Sequence, residues 1–259
     1  MKLYYETICD NRPGVRIITN GYYNFRYKNH FHKKIELFII RNGSYRVSVN
    51  EETFIMNSGD ILYSDSYNLH SYEEPLTEEI DGLCIQIPRD YIESFTARHK
   101  TPVTSHLISN PELVDKLLYL AKEYLPKARS ENIKKGACEL MFSLLEEHLT
   151  FDKDIKKNEF SLIQRILLYI DENISNDLSL KTIATALGYS PAYLSRVFNQ
   201  YVQSSLTDYI NTSRINKVEE LINLKSMKKT TAIYEAGFNS YQTYYRNKEK
   251  YTNNELLRN

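Results

Sequence analysis

Four polar side chains in the first third of the chain, His30, His32, Glu36 and His70, are of types that bind metals or grip small ligands. On a continuous strand, positions 30, 32 and 36 point to the same face, and His70 would come from a different strand. Three imidazoles with a carboxylate suit Fe, Mn, Ni or Zn. The same groups can also hydrogen-bond among themselves inside a pocket that holds no metal. The expectation adopted is a metal-free pocket in which His30, His32, Glu36, Tyr63 and His70 meet a small molecule; if a metal is held, its ligands are His30, His32, Glu36 and His70. Tyr23, Phe25, Tyr27, Tyr45, Tyr67 and Tyr72 could add aromatic walls, a lining suited to a sugar or a similar ligand.

A second set of residues, far along the chain, suits contact with DNA. Residues 178–210 read LSLKTIATALGYSPAYLSRVFNQYVQSSLTDYI. A first short helix places Leu180, Ile183, Ala184 and Leu187 on one face and closes at Gly188, the residue type that most readily adopts a left-handed turn. A second helix opens with Ser190 as N-cap and Pro191 at the first helical position, where a missing N–H costs nothing. It buries Leu194, Val197 and Phe198 and exposes Ala192, Tyr193, Ser195, Arg196, Asn199 and Gln200. Two helices joined by a tight glycine turn make a helix-turn-helix, whose second helix can enter a major groove. Arginine among small polar neighbours suits guanine O6 and N7.

The same order of chemistry returns about fifty residues later. In TTAIYEAGFNSYQTYYR, 230–246, Gly237-Phe238 echoes Gly188-Tyr189, Tyr244 echoes Leu194 and Arg246 echoes Arg196. Between the two hairpins RINKVEELINL, 214–224, carries Ile215, Val218, Leu221 and Ile222 at helical spacing. The expected organisation is hairpin, linker helix, hairpin.

Other elements must position these residues. Short apolar runs (IELFII, YRVSV, TFIM, DILYS, LCIQI) separated by turns predict a β-sandwich or barrel over 1–90, with Asn42-Gly43 as a hairpin turn. Residues 111–125 predict a helix with Leu113, Val114, Leu117, Leu118, Ala121 and Tyr124 inward, N-capped by Asn110. Residues 131–149 predict a second, with Ile133, Ala137, Leu140, Met141, Leu144, Leu145 and His148 inward. FDKDIKKNE, 151–159, reads as a charged linker, and 160–174 as a helix that buries Ile163, Ile166, Leu167 and Ile170. The domains are therefore set at 1–150 and 160–259.

Composition limits the function less than placement does. Lys+Arg and Asp+Glu are equal at 33 each, but 160–259 has 12 against 9, a net +3 that leaves −3 for the remainder. DNA contact would rest on local placement of Lys181, Arg196, Arg214, Lys228, Lys229 and Arg246. The KSMKK run, 225–229, could touch phosphates or be a solvated loop. Three widely spaced cysteines, Cys9, Cys84 and Cys138, without CxxC, argue against a disulfide framework or a zinc site. No stretch matches a membrane span or a signal peptide, so a soluble, cytoplasmic protein is expected.

The C-terminal part resembles the DNA-binding domain of the AraC/XylS family of bacterial transcription regulators. The resemblance is carried by Leu180, Ala184, Leu187-Gly188-Tyr189-Ser190-Pro191, Tyr193-Leu194-Ser195-Arg196, Phe198, Tyr209, Arg214, Leu221, Gly237-Phe238, Tyr244 and Arg246. The HxH-x3-E-x6-G run from His30 to Gly43, followed by Gly59 and His70, resembles the cupin pattern. The departures lie at Lys248, where the family has phenylalanine, at Gln203, where it has glycine, and in the short KEKYTNNELLRN end. Lys248 would have to turn outward or snorkel. The resemblance implies an α+β two-domain protein: an N-terminal β-sandwich of cupin type with a helical dimerisation hairpin, and a C-terminal all-α double helix-turn-helix. It implies no enzyme and no cofactor, but an effector-controlled regulator, expected to be an activator with a carbohydrate-like effector, acting as a homodimer with promoter DNA and RNA polymerase. Ala192, Ser195 and Arg196 would read bases in one groove and Tyr241, Gln242, Tyr245 and Arg246 would face the next, while Lys181 and Asn199 touch phosphates, which position without specifying. The second module is expected to contribute mainly backbone contacts. The alternative is a metal-dependent cupin enzyme with a vestigial DNA-binding tail.

Overall fold

The computed structural model describes residues 4–5, 14–19, 27–50, 52–99, 101, 103–151, 159–202, 204–223 and 226–256. Cys9, Tyr23, Phe25, Gln203 and most of the expected linker, 152–158, lie outside the described residues. The chain divides into two compact units, Met1–Lys156 and Lys157–Asn259.

In the first unit the strands are β1 (Tyr4–Tyr5), β2 (Arg16–Ile18), β3 (Tyr27–Phe31), β4 (Ile35–Asn42), β5 (Tyr45–Val49), β6 (Glu52–Met56), β7 (Asp60–Ser64), β8 (His70–Pro75), β9 (Asp81–Ile87) and β10 (Leu107–Ser109). They form two sheets, ordered β1-β3-β8-β5-β6 and β10-β7-β4-β9-β2. The run Leu37–Ile40 is apolar without alternation because β4 is covered on both faces. Ile35, Leu37 and Ile39 join a core with Tyr63, Leu83, Ile85 and the helices. Phe38 and Ile40 instead meet Tyr45, Val47 and Val49 of the opposite sheet. β5 has one covered face and alternates, burying Tyr45, Val47 and Val49.

Asn42-Gly43 does not close a hairpin. β4 already pairs with β7 and β9, so no edge is left for β5, which pairs with β6 and β8. The turn passes the chain from one sheet to the other, with Gly43 at φ 106°.

The helices of this unit are α1 (Glu93–Arg98), α2 (Pro111–Tyr119) and α3 (Glu131–Glu146). Asn110 caps α2, its side chain accepting from the Leu113 N–H at 3.0 Å. The predicted helix does not run on to residue 125. A π turn over Leu120–Tyr124 and a 3-10 turn with Pro126 change the phase, so Leu120 and Leu125 go inward and Tyr124 is left 46% exposed. On α3 the buried stripe is Ala137, Cys138, Met141, Phe142 and Leu145, one residue round from the predicted one. Ile133 and Leu140 are 42% and 50% exposed, so the helix is apolar over a wider arc than it buries. His148 lies beyond the helix end on the surface and accepts from Asn110 Nδ2 at 3.3 Å, correcting its inward placement.

The second unit is helical: α4 (Glu159–Glu172), α5 (Leu180–Leu187), α6 (Pro191–Val202), α7 (Leu206–Asn223), α8 (Lys229–Glu235) and α9 (Tyr241–Leu256). α4 buries Leu162, Ile163, Ile166, Leu167 and Ile170. A capping box between Ser179 and Thr182 starts α5, and Gly188, left-handed at φ 76°, ends it. α7 begins at Leu206, eight residues before the expected start, and gives Ile215, Val218 and Leu221 to a core with Ala232, Ile233, Phe238 and Tyr244.

Candidate functional site

Both helix-turn-helices form, and each presents an arginine two residues beyond a fully buried anchor: Arg196 after Leu194 on α6, Arg246 after Tyr244 on α9. The anchors fix which face each helix turns inward, and the arginines take the opposite face. Ala192, Arg196 and Asn199 are exposed on α6 and Ser195 is half-buried. Lys181 is exposed on α5. On α9, Gln242, Tyr245 and Arg246 are exposed, while Tyr241 is half-buried with its ring edge-on to Tyr234 at 5.3 Å. Lys229 lies over the Tyr245 ring at 4.9 Å.

Arg214 does not belong with the cations that could meet DNA. Its Nε donates to the Ile174 carbonyl at 3.0 Å and its Nη2 to that of Asn176 at 2.7 Å, so it clasps the chain just past α4 onto the linker helix. Ser175 Oγ donates to the Glu235 carbonyl at 2.5 Å, which ties the same segment to α8. Lys248 snorkels: Nζ reaches Glu219 on α7 at 2.9 Å with the Tyr244 ring 5.9 Å away. Lys250 pairs with Asp208 at 2.5 Å. Two ion pairs thus tie α9 to α7.

In the first unit, His30, His32, Glu36 and His70 come together, but not on one continuous strand. β3 ends at Phe31, the chain bends at 33–34, and Glu36 stands on β4 in the other sheet. His70 starts β8 and pairs in register with His30. Each imidazole Nδ1 meets a carbonyl: His30 with Lys28 at 3.0 Å, His32 with Lys34 at 3.0 Å, His70 with Asn68 at 2.9 Å. A carbonyl only accepts, so each Nδ1 carries a proton and each Nε2 is the inward-facing nitrogen; where Nε2 bonds the Glu36 carboxylate, as in His32, it carries a proton as well.

The His30, His32 and His70 ligand atoms lie within 4.8 Å of one another. His32 Nε2 is 3.1 Å from Glu36 Oε2, and His70 Nε2, 3.5 Å from Oε1, has no hydrogen bond. Burial, reinforced by His70, holds the His30 imidazole well below its usual pKa. Burial raises the Glu36 carboxyl, but the charge of His70 and the His32 hydrogen bond outweigh it and hold the group well below the carboxylate range. Tyr72 Oη and Gln86 Nε2, the latter at 2.8 Å, also donate to Glu36. Three buried imidazole nitrogens, one of them orphaned, with a carboxylate beside them, fit a divalent transition-metal ion.

Tyr63 is not brought to this cluster. It pairs with Leu37, on the opposite face of β4 from Glu36, and its ring packs on Phe142 of α3 at 6.3 Å. The alternation of the strand separates it from the histidines.

A family profile described as an AraC-like ligand binding domain matches residues 12–145, and one described as a helix-turn-helix domain matches 183–255. The chain belongs to the AraC family of transcription regulators.

Among its AraC-type relatives is an uncharacterized HTH-type transcriptional regulator, YbfI of Bacillus subtilis, 22% identical over 223 residues that span 82% of this chain and 79% of YbfI. The HTH-type transcriptional activator AarP of Providencia stuartii is 28% identical over 96 residues, 37% of this chain and 71% of AarP. A structure of ToxT from Vibrio cholerae, bound to (E)-4-(8-methylnaphthalen-1-yl)but-3-enoic acid, is 14% identical, covers 90% of this chain and 92% of ToxT, and has a TM-score of 0.45. This AraC family member is thus a DNA-binding regulator with an N-terminal ligand-binding domain. Gln86 was missed by sequence reasoning, although a lone glutamine between the buried Ile85 and Ile87 was a signal that something polar lay inside.

Proposed function

We propose that the chain is an effector-controlled activator of transcription, cytoplasmic and without catalytic activity, which recruits RNA polymerase at promoters. The observation that carries this reading is the repeated pair of exposed arginines, Arg196 and Arg246, each set by a buried anchor on the second helix of its module. Arg196, Ser195 and Ala192 read bases, Lys181 and Asn199 position the duplex through phosphates, and Tyr241, Gln242, Tyr245 and Arg246 face a second groove. The effector meets His30, His32, Glu36 and His70 in the N-terminal unit, and a carbohydrate suits the rings of Tyr27 and Tyr72 beside them. The protein acts as a homodimer through the exposed apolar residues Ile133 and Leu140 of α3; sedimentation equilibrium that returns a monomer would remove that part.

The test is a fluorescence-anisotropy titration onto duplexes from upstream of the chain's own gene and its neighbours, beside a scrambled duplex, at two salt concentrations. A preference of about a thousandfold or more over the scrambled duplex, with a steep salt dependence, is expected. Weak, equal binding to both duplexes with and without added carbohydrates overturns the reading.

A second reading for the same N-terminal cluster is favoured by the three convergent imidazole nitrogens. A divalent ion would be held by His30, His32 and His70 with Glu36 alongside, and would supply Lewis acidity to a bound molecule. On this second reading, metal analysis of the purified protein finds one Fe, Mn, Ni or Zn per chain that His32→Ala removes. Sub-stoichiometric metal unchanged by His32→Ala leaves the metal-free pocket standing.

A further inference from the structure

The two helix-turn-helix modules carry equivalent arginines but set them differently. On α6 the Arg196 guanidinium lies over the ring of Tyr193, 5.1 Å from its centroid, and Nη1 donates to Gln200 Oε1 at 3.3 Å. Tyr193 is three residues before the arginine and Gln200 four after it, so both share its face of the helix. The Tyr193 ring is itself seated, stacked on Tyr189 at 5.6 Å with 24° between the planes. Arg165 of α4 lies over the far ring at 5.8 Å and donates from Nη2 to the Leu187 carbonyl at 3.4 Å. The result is a column of four side chains, Arg165, Tyr189, Tyr193 and Arg196, that starts on the scaffold helix and ends on the reading arginine.

Among the described residues the second module lacks this arrangement. Three residues before Arg246 stands Thr243, whose hydroxyl is 3.0 Å from that of Ser240 at the start of α9 and which offers no ring. Four residues after it stands Lys250, which is drawn to Asp208. Both helices begin with a serine six residues before the arginine, Ser190 and Ser240, each accepting from the N–H three residues on. The helices are therefore in the same frame, and the difference lies in the side chains alone.

We infer that Tyr193 and Gln200 are positioning residues that preset the Arg196 guanidinium for base reading, so that sequence discrimination is concentrated in the first module. The inference rests on the reading of the chain as a sequence-specific DNA binder. A stacked guanidinium keeps its edge for hydrogen bonding while its face rests on the ring, so stacking and bidentate contact with guanine are compatible. An arginine already held in place does not lose its rotamer freedom on docking, and that cost applies in full to an unrestrained one. The saved ordering corresponds to about a tenfold preference for the right base pair.

The test is selection of duplexes from a randomised library by the full chain, with the variants run in parallel. Wild type is expected to enrich a motif whose sharpest position is the one that Arg196→Ala relaxes. Tyr193→Thr, which copies the second module, and Gln200→Ala, which removes the acceptor without adding a charge, are expected to lower enrichment at that same position about tenfold and leave binding to unselected duplex unchanged. Tyr193→Phe keeps the ring and is expected to keep the motif. If Tyr193→Phe is as damaging as Tyr193→Thr, or if Tyr193→Thr weakens every position evenly, the column is structural support and the inference fails. If Arg196→Ala relaxes the motif but Tyr193→Thr does not, the inference fails and the regulator reading survives. If wild type enriches no motif, both fall.

Discussion

Arg196→Ala is expected to lower affinity for the selected site by about 5- to 150-fold, the ~1–3 kcal/mol of a lost bidentate arginine–guanine contact, and to relax one base pair. Binding to unrelated duplex should change little, because phosphate contacts supply that term and Arg196 is expected to supply none. The residue stands opposite the buried Leu194/Phe198 face and is clasped to Tyr193 and Gln200, so removing it touches no core. Thermal unfolding of the variant should therefore match wild type. Arg246→Ala is expected to cost less discrimination than Arg196→Ala. Anisotropy titrations on the selected and scrambled duplexes measure both. An equal loss on both duplexes for Arg196→Ala would identify it as a phosphate contact.

The second large effect separates two glycines that look equivalent in the sequence. Gly188 and Gly237 both close a first helix, at φ 76° and φ 91°. A Cβ on Gly188 would meet nothing within 4 Å, so Gly188→Ala carries only the left-handed strain of about 1–2 kcal/mol. A Cβ on Gly237 would lie 2.5 Å from the Ile174 carbonyl, 2.9 Å from Arg214 Nε and 3.0 Å from Ser175 Cα. Backbone cannot yield as a side-chain tip can, so Gly237→Ala adds an overpacking cost of ~1–3 kcal/mol and should cost about 2–5 kcal/mol in all. Hydrogen exchange in α7, α8 and α9 is the right readout, since it reports local opening in a chain with two units. Equal acceleration in the two variants would show that the close approach at Gly237 is not maintained in solution.

Most of the architecture was legible because its signals are local. The two glycine turns, the Ser190 and Asn110 caps and the 3.6-residue stripes of α4 and α6 follow from short-range rules. The strands β4, β5, β6, β7 and β9 were legible from apolar runs, whereas β3 and β8, which carry His30 and His70, are too polar to declare themselves. The failures share a cause: they depend on which partner an element finds. Asn42-Gly43 reads as a hairpin unless it is known that β4 is already flanked on both sides. Tyr63 belongs with His70 by residue type, and only the pairing of β4 with β7 turns it to the face opposite Glu36. The π turn after Tyr119 rotates Tyr124 outward without any glycine to announce it. Arg214 looked like one more surface cation, and only the fold shows carbonyls on the chain past α4 waiting for it.

The Arg214 clasp has a consequence for the nucleic acid. With the end of α4 tied to α7 and α8, the second helices of the two modules, α6 and α9, are joined through α7, a helix of 18 residues or about 27 Å end to end. Straight B-form DNA repeats its major groove about every 34 Å. A hinged protein could absorb a mismatch between the two spacings itself; one bolted together in this way transfers the strain to the duplex. An operator that engages both modules would then have to match the spacing that the protein sets, and where straight DNA does not, base pairs that no side chain touches acquire a vote through their stiffness, with flexible pyrimidine–purine steps favoured between the two contacted grooves.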